Sequence, residues 1–291
     1  MNTERLLEGA YDIHVHAAPD VIQRAMDLKQ LCREAERSGM AGILLKDHCT
    51  STVGRAAALN LMGSGSCRFY SALALNPPVG SLNPTAVESA LRAGVDVIFF
   101  PTYGAAHHIR RWGAGKPPTA FPLPEVHFEG LTIVDGNGLL KPEAVVILEL
   151  IAEHDAVLAT GHISAGESLA MLRKGKELRI KRMLVTHASE SVPAFSLAEQ
   201  QEAIGLGALI EHSFFAVTSS CPDPISMDYM RDVIRKTGTD HIILSSDFGQ
   251  TANGNPVAGF LHYLAKFGEL GFEESELRQM ICANPARLLA R

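Results

Sequence analysis

The sequence has no surplus of positive charge, no paired cysteines and no long apolar run, and each shortage closes off a class of function. Lysine and arginine number 26 against 32 aspartates and glutamates, so the 291-residue chain carries a net charge of -6, with a pI near 6.1. No basic excess is available for nucleic acid or for an anionic membrane surface, and neither is an expected partner. No apolar stretch approaches the ~18 residues of a membrane span. The first residues, Met1-Asn2-Thr3-Glu4-Arg5, hold no apolar targeting segment. The expectation is a cytoplasmic protein acting on a small-molecule substrate, with a homo-oligomer left open. Cys32, Cys49, Cys67, Cys221 and Cys282 are odd in number, scattered and free of C-x-x-C spacing. That pattern argues against both a disulfide framework and a thiolate zinc site. Also missing are low-complexity tracts, a repeat with a period of roughly 20–50 residues, and a G-x-G-x-x-G fingerprint behind the first strand. The last absence disfavours a doubly wound nucleotide-binding sheet.

What is present is a hydrophobic content of 46%, with only 20% charged residues, enough to bury a large core. Short apolar runs alternate with helical patterns along the chain. The runs are Tyr11–His16, Ala41–Lys46, Phe69–Leu75, Val95–Phe100, Ala156–Thr160, Met183–Thr186, Ala208–Ile210 and Ile242–Ser245. Continuous apolar runs of this length suit parallel strands covered on both faces. Helices are expected between them, for example from Met26 to Arg37, behind the Asn83-Pro84 start signal, and from Glu273 to Leu289 at the end. Eight such units predict one (β/α)8 TIM barrel spanning residues 1–291 as a single domain. The rhythm breaks only at about 101–138, a proline-rich excursion with the pairs His107-His108 and Arg110-Arg111 and the sole tryptophan, Trp112. A long loop on a barrel is a natural place for a lid over a pocket.

The polar residues fall where the strands end. His14 and His16 are two apart on a strand and so converge on one point. Lys46, His162, His187, Glu211 with His212, and Asp247 close other strands. In a parallel barrel all these ends open on one face, so residues over two hundred positions apart ring a single mouth. Alternation lets only one of Glu211 and His212 face the centre. Nitrogen and oxygen donors without thiolate suit zinc, manganese, iron or nickel, zinc first.

His-x-His on strand 1 (His14, His16), single histidines ending strands 5 and 6 (His162, His187) and an aspartate ending strand 8 (Asp247) resemble the amidohydrolase superfamily of metal-dependent hydrolases. The resemblance covers essentially the whole barrel. It implies one or two divalent metals, most simply zinc, and hydrolysis of an amide, ester, lactone or phosphoester. His14 and His16 would bind a first metal and His162 and His187 a second, while Asp247 would ligate the first and shuttle the proton. Strand 4 departs from the pattern: it ends Phe100-Pro101-Thr102, where binuclear relatives carry a carboxylated lysine or a glutamate. Lys46, on strand 2, is the nearest lysine. Beside a dication its amine would turn neutral and could take up carbon dioxide as a bridging carbamate; the alternative is a lysine that stays cationic and either pairs with Asp47 or holds an anionic substrate group as a catalytic or substrate-binding amine.

The catalytic candidates are therefore Asp247, His187 and Lys46. Asp20, Arg24, His48, Arg110 and Arg111 are candidates for substrate contact. Two other readings stand beside the hydrolase. One is a decarboxylase or lyase on the same barrel, with the loop arginines clamping a carboxylate. The other is a non-catalytic metal-binding protein.

Overall fold

A computed structural model describes residues 5–113 and 130–290. Eight parallel strands lie in the order of the chain: β1 (Tyr11–Val15), β2 (Gly42–Leu45), β3 (Arg68–Ala74), β4 (Val97–Phe99), β5 (Val157–Ala159), β6 (Met183–Val185), β7 (Ala208–Ser213) and β8 (Ile242–Ser245). Every strand pairs with the next in parallel. The ring is joined beyond β8 by a parallel bridge between Val15 and Phe248, where the His16 amide donates to the Phe248 carbonyl over 2.8 Å. This is the expected (β/α)8 barrel. Each strand feeds a helix that returns to the start of the next strand, the right-handed crossover a twisted parallel sheet favours.

Two apolar layers hold it. Ile13, Leu44, Ala72, Ala74, Val97, Phe99, Val157, Ala159, Leu184, Leu209 and Ile243 fill the interior. Ile43, Leu45, Leu73, Ile98, Leu158 and Val185 face outward against the helices. The pairing register slips between Asp12 and Val15, so Ile13 packs inside and Val15 outside even though both sit at odd positions. Helix starts follow local chemistry. Asp27, Ser164 and Ser196 form reciprocal capping boxes, and the Asn83 side chain accepts from the amides of Thr85 and Ala86 behind Pro84.

Two departures from the sequence expectations have clear causes. The excursion after β4 contains a helix, Ala106–Trp112, which residues flanked by glycine and lacking a capping side chain do not announce. The final helix is broken into Glu274–Arg278, a π turn at Gln279–Ala283, and Asn284–Leu289. Pro285 has no N–H to continue the ladder, and the Asn284 side chain instead donates to the carbonyls of Thr239 and Ile242. The turn delivers Leu288 and Leu289 into the interior layer, closing the bottom of the barrel.

The open end is drawn tight by two glycines. At Gly161 (φ 65°) an added Cβ would lie 2.2 Å from the Phe100 carbonyl oxygen, and at Gly249 (φ 137°) 2.1 Å from that of His16. Both approaches exclude any side chain; Gly161 precedes His162, and Gly249 lies two residues past Asp247. Gly249→Ala is expected to cost roughly 2–4 kcal/mol, combining overpacking with the left-handed backbone. Urea unfolding that placed the variant within ~1 kcal/mol of wild type would show that the His16 segment yields more easily than this packing implies.

Candidate metal centre

The strand-end residues do converge. His14 lies fully buried inside the mouth, its ring 5.5 Å from that of His16 and 4.7 Å from that of His187, centroid to centroid. His162 stands 5.1 Å beyond His187, and His48 stacks on His16 at 5.0 Å. Two donor groups are close enough to share an ion, His14 with His16 and Asp247, and His14 with His187 and Glu211, the atoms of each lying within 4.8 Å of one another.

The hydrogen bonds fix what each ring presents. His14 Nδ1 lies 2.8 Å from Glu211 Oε1. A carboxylate only accepts, so Nδ1 carries the hydrogen and Nε2 keeps a lone pair. That lone pair faces Asp247 Oδ1 at 3.2 Å and accepts from Lys46 Nζ at 2.8 Å. Ser245 Oγ donates to the same Glu211 oxygen. His212, the next residue, is buried on the opposite face with neither ring nitrogen partnered.

His187 sits two residues past β6 on a left-handed backbone (φ 56°), and Asp247 two residues past β8 on another (φ 51°). Such conformations are uncommon outside glycine and gather where a side chain must be aimed. The turn after His187 brings Glu190 Oε1 to 2.7 Å from His187 Nδ1, while Asp247 Oδ2 lies 3.7 Å from Nε2. Glu190, which the sequence did not single out, is itself held by Ser213 Oγ at 2.6 Å.

Charge follows this geometry. Burial disfavours a charged His187, but Glu190, Asp247 and Glu211 outweigh it and raise the ring to about 9. Burial likewise opposes ionised Asp247, yet His14, His16 and His187 hold it well below the usual carboxylate range. Burial lowers Lys46 to about 8 against the pull of Asp247 and Glu211. Its Nζ lies 4.8 Å from the centre of the Phe99 ring on β4, so the amine reaches the side of the barrel where β4 offers no polar ligand.

A divalent ion fits this donor set. The buried carboxylates of Glu190, Glu211 and Asp247 face Lys46 and the His187 ring, concentrating negative charge that raises the ring's pKa. A dication would satisfy that charge without a protonated imidazole. His14 offers a lone pair, and His162 Nε2 is buried without a hydrogen-bond partner. His16 is the exception as it stands. Arg24 Nη2 can only donate and lies 3.2 Å from His16 Nδ1, which places the ring hydrogen on Nε2, facing Asp247 Oδ1 at 3.2 Å. His16 would enter a cation's shell only after exchanging tautomer.

The substrate-contact candidates divide. Arg24 and His48 line the cleft above the cluster with Lys46, His108, Trp112 and Gln250. Asp20 pairs with Arg24 at 2.7 Å, and His48 Nδ1 meets Thr102 Oγ1 at 2.9 Å. Arg110 and Arg111 are not brought to the cleft: both are exposed, and Arg111 pairs with Asp223 at 3.2 Å. The helix Ala106–Trp112 directs His108 inward and the arginines outward. Trp112 lines the cleft and donates to Ser191 Oγ at 3.1 Å, while the rest of the expected lid, residues 114–129, lies outside the described residues.

Solved structures share this architecture. An amidohydrolase from Pseudomonas aeruginosa aligns with a TM-score of 0.68 at 13% identity, over 98% of this chain and 97% of its own. The probable dipeptidase PvdM of the same organism aligns with a TM-score of 0.62 at 12% identity, over 99% and 96%. The organophosphorus hydrolase from Deinococcus radiodurans gives 0.62 at 13%, over 98% and 94%. The likeness, at 12–13% identity, is one of fold. Residues 9–211 match the profile of a family of unknown function, DUF6282, and the chain belongs to that family. No curated protein matches in sequence. Among the described residues no helix is long and apolar enough to cross a membrane.

Proposed function

We propose that the protein is a metal-dependent hydrolase that cleaves an amide, ester, lactone or phosphoester bond of a small molecule. The observation that carries this reading is the buried cluster at the carboxyl ends of β1, β6, β7 and β8, where His14, His187, Glu211 and Asp247 face one another. A barrel does not need buried imidazoles and carboxylates there for stability, since replacing buried ion pairs with apolar residues is often neutral or stabilising. His14, Asp247 and His187 would hold a divalent cation, with Glu211 behind His14 and zinc the best match to the nitrogen and oxygen donors. His162 would join them, and His16 once Arg24 releases Nδ1. When bound, the ion supplies Lewis acidity, activating water near neutral pH and polarising the scissile bond.

The chain's own residues do the remainder. Asp247, held ionised, is placed to accept a proton from water and return it to the leaving group. Glu211 keeps His14 in the tautomer with its lone pair toward the mouth. Glu190 orients His187 from behind. His48, Trp112, Phe215 and Gln250 form the walls of the cleft above the cluster, where a substrate would reach these groups. The decarboxylase reading called on Arg110 and Arg111 as a carboxylate clamp, and with both on the surface that support is gone.

Lys46 tests the reading within one residue. Its amine donates to the same His14 lone pair that a cation would use. Either it carries a carbamate beside the metal, or it turns to the substrate as an amine. Lys46→Ala is expected to lose at least ~10-fold in activity, assayed with a library of lactones, amides and phosphoesters. Recovery of metal content and activity with added acetate identifies the carbamate. Full metal content with weakened substrate saturation identifies the amine, and wild-type behaviour removes Lys46 from the site.

A further inference from the structure

We propose that His108 is a positioning residue that sets the tautomer of His162, an assignment that rests on the metal-centre reading above. His108 comes from the helix Ala106–Trp112, not from a strand end, and is fully buried. Its Nδ1 lies 2.9 Å from His162 Nδ1, and the two ring planes lie within 21° of each other with 4.9 Å between centroids. Neither Nε2 has a hydrogen-bond partner, and both residues line the cleft.

A nitrogen–nitrogen contact of this length holds one hydrogen. Two hydrogens would collide, and none would set two lone pairs against each other. The ring that donates at Nδ1 keeps a lone pair at Nε2, and the ring that accepts at Nδ1 carries its hydrogen at Nε2. The pair therefore presents one Nε2 lone pair and one Nε2–H. The lone pair belongs to His162, whose ring stands 5.1 Å from His187 and 6.3 Å from His48 at the centre of the polar cluster. His108 lies farther out, its ring edge-on to Trp112 at 5.3 Å. His162 Nδ1 thus donates to His108 Nδ1, leaving His162 Nε2 free to bind a cation. His108 takes the part that a carboxylate or backbone carbonyl usually plays behind a metal-binding histidine, and its own Nε2–H remains as a donor.

Imidazole nitrogen–proton correlation spectra of the metal-free wild-type protein read this directly, with His108 signals assigned by their loss in His108→Asn. The expected result is a hydrogen on His162 Nδ1 and on His108 Nε2, and no hydrogen on His108 Nδ1. The reverse assignment overturns the proposal. Zinc affinity, measured by competition with a chromophoric chelator, is the second readout. His108→Leu should weaken binding by ~10–100-fold, the usual consequence of removing such a partner. His108→Asn, whose side-chain oxygen occupies the place of Nδ1, should stay much closer to wild type. Equal affinity in His108→Leu and wild type, both folded by circular dichroism, would overturn the positioning role. Wild-type protein that binds no zinc sinks the metal reading instead, and the spectra still decide the hydrogen bond.

Discussion

Replacing His14 and His16 together by alanine is expected to abolish tight divalent-metal binding, from near-stoichiometric ion in the purified wild type to none after desalting. His14 belongs to both donor groups, so its loss removes a ligand from each, and with His16 gone the first group keeps only Asp247. A stability effect should accompany the loss. Glu211 Oε1 keeps only Ser245 as a donor once His14 is gone, and its second oxygen already has no partner. A buried carboxylate stripped of its main partner costs on the order of 3–5 kcal/mol, unless it takes up a proton instead. Elemental analysis and a melting curve on the same sample separate the two effects. Wild-type protein that stays metal-free when supplied with zinc, manganese and iron would remove the basis for the hydrolase reading. A double variant that keeps wild-type metal content would move the site to residues that exclude β1.

The barrel was legible because eight apolar runs of strand length alternate with helical patterns, and period alone places them. The mouth was legible for a related reason: parallel strands share one open face, so a polar residue ending a strand announces its position without any tertiary information. This located His14, His16, Lys46, His162, His187, Glu211 and Asp247. His108 and Glu190 could not be found that way, because neither ends a strand. His108 arrives on a helix inside an irregular segment, and Glu190 on a turn set by the left-handed backbone at His187. Their only trace in the sequence is proximity to other candidates, the His107-His108 pair and a glutamate three residues past His187. Arg110 and Arg111 show the converse error. They share the segment with His108, but a helix points neighbours at different sides, and charge alone does not say which side faces the cleft. The tautomers of His14 and His16 were also beyond reach, since they depend on Glu211 and Arg24 meeting the rings from distant or irregular segments.

Asp247→Asn is expected to fold normally and to lower kcat by at least ~100-fold, the scale of removing a positioned proton acceptor. Asparagine is the informative replacement for a structural reason. Residue 247 has φ 51°, a conformation asparagine and aspartate tolerate better than other residues with a Cβ. Alanine there would add backbone strain to the chemical loss. Asparagine also keeps an oxygen able to accept from His16 Nε2–H, the contact seen at 3.2 Å, so the ring arrangement is retained. What disappears is the negative charge that faces His14, His16 and His187, and with it the ability to take a proton from water. Metal content should fall only in part, because His14 and His187 still stand together, with Glu211 fixing the His14 ring from behind. Turnover is to be compared at saturating concentration of whichever lactone, amide or phosphoester the wild type cleaves. A large fall in kcat with metal largely retained separates proton transfer from ligation. Wild-type kcat in the variant would exclude Asp247 from the chemistry and leave it as a partner of the histidines alone.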